Sequence, residues 1–440
     1  MRRTFLKLIA AGTTGITLSA CTSGSGSGSS PNPDGASDKT PVTITMWSFF
    51  TDKEKSIVDD VVADFQEAHP WITVKHTGGQ TSDTQLQSLR GNTAPDVMLY
   101  GESLAVPALC ESGQLTPLNE YMERDSISAD QFVAATQSYT SWEDTIGAFP
   151  VLSDVYALYY NKDALEAAGI TPPTTWDELT TAAQELTVRN SDGSIKTAGF
   201  LPLLDYAEMN AATVTPGFNL QWYDDSGKSA LVSDPNWNTM LTWQKELIEF
   251  YGQDELKTFR AGLGEEFSTA NPFYTGDIAM IIDGEWRVGF IEREMPDLNY
   301  GVVPIPNNDA SKYGGGYIAG TVACIPSRSK HQEPAWQLIK YLATDDGALH
   351  KLAMGLKNVP STTSALEDSE LRKSEQFATL MDIAGNANSQ SLPATLHGTA
   401  AKDLIDKQIG EWQEDSASDP TEFLAGLKEA VDNALEQSGP

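Results

Sequence analysis

The sequence predicts an α/β protein of two lobes, each a mostly parallel sheet flanked by helices, with a hinge between them. Three observations carry this. A chain of 440 residues is longer than one ordinary core supports. Its first globular stretch alternates strand, helix, strand, helix, strand, the order of a parallel sheet covered by helices. The same alternation then resumes after an apolar run, as though the chain had crossed into a second body.

In order, Val42 to Met46 alternates apolar and polar residues and reads as a strand ending at Trp47. Thr51 and Glu54 have capping-box spacing, and Ile57, Val58, Val61, Val62 and Phe65 recur on one helical face. Trp71, Ile72 and Val74 predict a second strand, Leu86 and Leu89 a helix, and Val97 to Tyr100 a third strand. In such sheets ligands sit beyond the carboxyl ends of the strands, so Trp47 and Tyr100 are expected at a binding edge.

The crossing is expected at Phe149 to Leu165. Val155 to Tyr160 is apolar and aromatic throughout, as suits a strand buried on both faces, and Asp154 stands at its mouth. Beyond it, Thr175 and Glu178 form a second capping box ahead of Leu179, Ala182, Ala183 and Leu186. Gly199 to Leu204 predicts a strand, 205–223 is mixed, and Leu241, Trp243, Leu247 and Ile248 suit an amphipathic helix. Ile278 to Ile282 and Tyr300 to Val303 read as strands, and Pro304 to Pro306 as a second crossing. A glycine-rich turn at 314–316 precedes the apolar run Ile318 to Ile325. Pro334 then opens a helix, and the remainder to about Leu435 is helical.

Composition removes several function classes. The chain carries 61 acids against 29 bases, a net charge of -32, which repels phosphate backbones and excludes nucleic acid as a partner. Arg2, Arg3 and Lys7 precede an apolar run from Leu8 to Leu18, followed by Leu18-Ser19-Ala20-Cys21. That is the layout of an export signal, and its end resembles the bacterial lipobox, in which the cysteine is lipidated. The paired arginines also resemble a twin-arginine export motif. Residues 22–40 are rich in Ser, Gly and Pro, a flexible tether. The body is therefore expected outside the cell, anchored to the outer face of the cytoplasmic membrane through Cys21. Cys110 and Cys324 lie in apolar contexts and are expected as free thiols. Five scattered histidines offer no metal site, and no cofactor is implied.

No catalytic signature is present. Gly314-Gly315-Gly316-Tyr317-Ile318-Ala319 matches a dinucleotide pattern but leads into a β-rich run, so no helix end is offered to a phosphate. What remains is a set of aromatics at element ends interleaved with acids and amides. Trp47, Trp222 and Trp286 are the tryptophans so placed, whereas Trp71, Trp176, Trp237, Trp243, Trp336 and Trp412 sit within strand or helix patterns. Flat rings that receive C–H faces, beside carboxylates that accept from hydroxyls, are the chemistry of saccharide recognition.

Several blocks then resemble a known family. They are Thr43 to Trp47, Ala94 to Tyr100, Gly113 to Leu118, Tyr159 to Asp163 with Pro173 to Leu179, Phe273 to Trp286, and Gly314 to Gly320. Together they resemble the family 1 extracellular solute-binding proteins of ABC importers, the group that includes maltodextrin-binding protein. The resemblance implies a two-lobed, periplasmic-binding-protein-like fold that closes on an oligosaccharide and presents it to permease subunits, as a monomer without enzymatic activity. It puts Tyr100 in the place of a stacking aromatic and Ser103 in that of a nearby ligand acid. Asp154 takes the place of a carboxylate gripping hydroxyls, and Trp286 that of a second stacking ring. Asp52 and Lys53 fall near a polar pair of the first lobe, and Asp205 and Tyr206 near an acid and an aromatic of the second. Gly316, Tyr317 and Asn358 complete the expected ligand contacts. The expected division is a signal peptide at 1–21 and a linker at 22–40. A first lobe follows at 41–152, continued at 306–358, and a second at 153–305, continued at 359–440. The alternatives are the same fold with a non-sugar cargo such as a polyamine and, at greater remove, an exported glycosidase.

Overall fold

The computed structural model describes residues 39–414 and 418–438. The signal peptide, Cys21 and nearly all of the linker lie outside these residues. Twelve strands appear among the described residues. They are β1 Val42–Trp47, β2 Ile72–Thr77, β3 Val97–Tyr100, β4 Ser141–Trp142, β5 Thr145–Ile146 and β6 Ala148–Asn161. There follow β7 Val188–Arg189, β8 Ile195–Phe200, β9 Ile278–Gly284, β10 Tyr300–Val303, β11 Ile318–Cys324 and β12 Val359–Pro360. All but β4 and β5 join one sheet in the order β2-β1-β3-β11-β6-β9-β8-β7, with β10 and β12 also on β6.

The sheet is parallel where strand and helix alternate, at β1 with β2, β1 with β3, and β8 with β9. It is antiparallel where β6 and β11 carry the chain between lobes. Helices cover its faces, among them α1 Asp52–Ala68, which buries Val58, Val61, Val62 and Phe65, and α2 Ser82–Gly91.

Three apolar cores lie along this sheet, the smallest of them around Met98, Tyr100, Leu109 and Tyr139, and the two larger ones divide the lobes. One gathers Ile44, Met46, Phe65, Phe149, Leu152 and Trp336; the other gathers Val155, Trp176, Trp237, Met280 and Ile282. The main passages between them are at Leu152–Val155, at Ile318–Ala323 and at Leu356–Val359, while Val133, Ala135 and Ala353 pack into the second core and Ala365 into the first from across the divide. The return crossing thus lies beyond the expected boundary of 305/306, since Ile305, Tyr317 and Ile318 all pack in the second core.

β6 explains its own sequence. Every side chain from Ala148 to Tyr159 is buried except that of Asp154, which is half-buried. Pro150 sits inside this central strand, where a missing N–H would normally break the ladder. It is tolerated because the β6–β11 register shifts there, between Thr321 and Val322. Close approach supports the same ladder: a side chain at Gly320 would put Cβ 2.1 Å from the Leu152 carbonyl oxygen.

Two local expectations shift. Thr51 precedes α1, but its side chain makes no capping bond, whereas Thr175 and Glu178 do form the full capping box. The strand expected at Gly199 to Leu204 lies earlier, at Ile195–Phe200, and the mixed segment 205–223 holds a helix at Ala211–Phe218. The backbone there is directed by Asn210, whose side chain accepts from the N–H groups of Ala212 and Thr213. Cys110 and Cys324 are free, and burial pushes their thiols up to about 11 and about 12.

Candidate functional site

A cleft of about 960 Å³ opens where the crossing strands meet the first lobe. The end of β3 and the turn after it bring Tyr100, Glu102 and Ser103 to one wall, and α2 adds Arg90. β6 provides Asp154 and Tyr156, which fall on one face because strand side chains alternate. Tyr317 enters just ahead of β11, and Glu208 and Asn210 come from the loop before helix Ala211–Phe218. His397, Lys402 and Asp403, at the start of helix Ala400–Glu414, close the far wall.

Three rings meet here. Tyr156 and Tyr317 have centroids 5.5 Å apart, and Trp286 meets Tyr156 edge-on at 5.7 Å. The acids among them are strongly perturbed. Burial and the Glu102 charge push the Asp154 carboxyl up to about 7. Burial, then Asp283, pushes Glu208 up to about 8. Burial, then the Asp154 charge, holds Glu285 well above the usual carboxylate range. Burial likewise keeps the Tyr100, Tyr156 and Tyr317 phenols protonated, so each offers an O–H donor as well as an apolar face.

Of the residues expected from the sequence, the cleft brings together Tyr100, Ser103, Asp154 and Tyr317. The others are occupied elsewhere. Trp47 ends β1 paired with Thr77 and Met98, while Asp52 and Lys53 are exposed at the start of α1. Asp205 takes a bidentate contact from Arg260, at 2.9 Å to each oxygen, so its carboxylate serves an ion pair. Tyr206 stands half-buried near Glu266, and burial raises its phenol. Trp222 is buried in the second core, where its indole N–H donates to Thr215 Oγ1 at 2.9 Å and its ring meets Trp237. Trp286 stands behind Tyr156. The Gly316 N–H donates to Ser389, and Asn358 donates through Nδ2 to Glu285 Oε1.

Sequence reasoning missed Glu102, Tyr156, Glu208, Asn210 and the segment 396–403. Glu102 and Tyr156 were within reach, since each lies two positions from a named residue, Tyr100 or Asp154. Nothing local marks the other residues, because helix packing alone carries them to the cleft. Near Glu208, three carboxylates converge: those of Glu208, Glu266 and Asp283 lie within 4.8 Å of one another. Arg287 pairs with two of them, with Asp283 at 2.6 Å and Glu266 at 3.0 Å, and so neutralises much of the cluster.

Two α/β lobes joined by crossing strands, with a polar and aromatic cleft at the crossing, define a hinged receptor for a small solute. Residues 51–349 match the model of the bacterial extracellular solute-binding protein family, and the chain belongs to that family. It is similar to the maltotriose-binding protein of Pyrococcus abyssi, 19% identical over 75% of this chain and 68% of that protein. The multiple sugar-binding protein of Streptococcus mutans is 22% identical over 76% of both chains. Among solved structures, the sugar-binding protein MalE of Xanthomonas citri superposes with a TM-score of 0.77 at 19% identity, covering 90% of this chain and 98% of that one. CpMnBP1 with mannotriose bound superposes with a TM-score of 0.76 at 24% identity, covering 89% and 100%.

Proposed function

We propose that this chain is the substrate-binding component of an ABC importer, capturing an oligosaccharide in the interlobe cleft and delivering it to the membrane permease. The observation that carries this reading is the composition of the cleft wall. Tyr100, Tyr156 and Tyr317 present rings, while Asp154, Glu102, Ser103 and Asn210 present groups that accept from or donate to hydroxyls. A sugar has apolar C–H faces and a rim of hydroxyls, and both are matched here. The maltotriose, multiple-sugar and mannotriose binders among its relatives support the same cargo class. The volume, about 960 Å³, lies near the upper end of ligand pockets and suits more than one sugar ring. Acids outnumber bases on the wall, which disfavours a phosphate ester.

In this reading the protein performs no chemistry of its own. The lobes divide at the crossings Leu152–Val155, Ile318–Ala323 and Leu356–Val359, and closure is a hinge motion about them. Isothermal calorimetry against manno-, malto- and other oligosaccharides tests the assignment. Saturable binding to at least one is expected, and release of shortened products instead would mark a glycosidase. We further propose that Cys21 is lipidated and tethers the monomeric body outside the cytoplasmic membrane. Cys21→Ala should then release the protein into the medium, and retention in the membrane fraction would contradict the anchor.

A further inference from the structure

The turn that brings Tyr100, Glu102 and Ser103 to the cleft also reaches across it. Leu104, in the short helix Ser103–Ala105, packs on one side against the small core beside β3 and on the other against the core of the second lobe. Its seat in the second lobe is lined by Trp222, Tyr223, Leu392, Pro393 and Thr395. About 10 Å³ of free space remains in that seat, no more than a single water requires, so the leucine fills it. The backbones draw close as well, since a Cβ on Gly398 would stand 4.0 Å from the Cα of Ala105. Ser103, although it lines the cleft, is left 2% exposed by this approach.

The position of the contact decides what it does. Val133, Ala135 and Ala353 also pack into the second core, but beside a crossing. The Val133 N–H donates to the Ser361 carbonyl at 2.9 Å, just past Leu356–Val359, and Ala353 precedes Leu356 in one helix. Contacts beside a hinge persist while the lobes turn. Leu104 instead lines the cleft, among residues that part when it opens. Opening therefore draws an apolar side chain out of an apolar seat into water, which is unfavourable in proportion to the area exposed. We propose that Leu104 is a positioning residue for capture. Seated between Trp222, Tyr223, Leu392 and Pro393, it latches the Tyr100–Ser103 turn onto the second lobe and sets the closed fraction of the protein. For the cargo this rests on the cleft reading given above; the latch itself is a contact between two segments of this chain. Trp222 thereby has a role in closure, as a wall of the seat instead of a surface for sugar.

Small-angle scattering of the ligand-free protein reads the latch with no sugar present. Wild type should have a smaller radius of gyration than Leu104→Ala, and Leu104→Met, which refills the seat, should stay close to wild type. Equal radii for wild type and L104A overturn the proposal. Tyr223→Ala removes the opposite wall and should expand the free protein as L104A does, and the double variant should expand it no further. A further expansion in the double variant overturns the shared seat and the proposal with it. Calorimetry and stopped-flow kinetics with mannotriose and maltotriose then read capture. L104A should bind about tenfold more weakly, because less of it is closed, and the loss should lie in faster dissociation. Weaker binding with an unchanged ligand-free radius would make Leu104 a sugar contact and overturn the latch. Failure of wild type to bind either sugar, with the ligand-free radii still in the expected order, would count against the cargo while supporting the latch.

Discussion

At the residue scale, the cleft depends on rings that stand on one another. Trp286 was expected to stack on ligand, but it meets Tyr156 edge-on at 5.7 Å and lies so close to the backbone that a Cβ on Gly284 would fall 2.4 Å from its ring. Tyr156, on the same strand face as Asp154, is the ring that reaches the cleft. Tyr156→Ala should therefore weaken sugar binding by roughly 2 kcal/mol, and Trp286→Ala by about 1 kcal/mol with a larger drop in melting temperature. Calorimetry and thermal melts of the two variants check this, and the reverse ranking would return Trp286 to the binding surface.

At the element scale, the first lobe is tied to its covering helix by two carboxylates: Glu333 of the helix accepts twice from Arg124, at 2.7 and 3.0 Å, and Asp125 gathers three donors. Asp125 accepts from the indole N–H of Trp336 at 2.8 Å, from Lys340 at 2.7 Å and from Arg124 at 2.8 Å. These donors hold its carboxyl well below the usual range against the opposing effect of burial. Because the folded value lies below the unfolded one, the stabilisation is present above about pH 4 and is lost as pH falls further. Asp125→Asn should cost roughly 1–3 kcal/mol at pH 7 and shrink the difference from wild type near pH 2, as denaturant melts at the two pH values would read. The helix it ties down, Gln332–Thr344, was legible from Pro334, Trp336, Ile339 and Leu342. Its partner Asp125 was not, since the two are more than two hundred positions apart and nothing in the spacing links them.

At the scale of the whole molecule, the crossings at Leu152–Val155, Ile318–Ala323 and Leu356–Val359 concentrate the link between two separate cores, so the lobes should move as bodies. Small-angle scattering with saturating sugar should give a smaller radius of gyration than without it; an unchanged radius would mean that capture needs no closure. The alternation of strand and helix, the buried crossing strand and its lone acid are all readable in the chain, because period and burial are local properties of neighbouring residues. Asp154 and Tyr100 were found in this way, each at the end or mouth of an apolar run. The companions of Asp154 were not. Glu285, Glu208 and His397 come from distant segments, and only packing shows that Glu285 fills a gap between two strands on β6 while Asp205 and Trp222, equally plausible as sequence, are spent on an ion pair and a core. Which side chains face each other across a cleft depends on how helices and sheet pack over long separations, and no local pattern in the sequence carries that information.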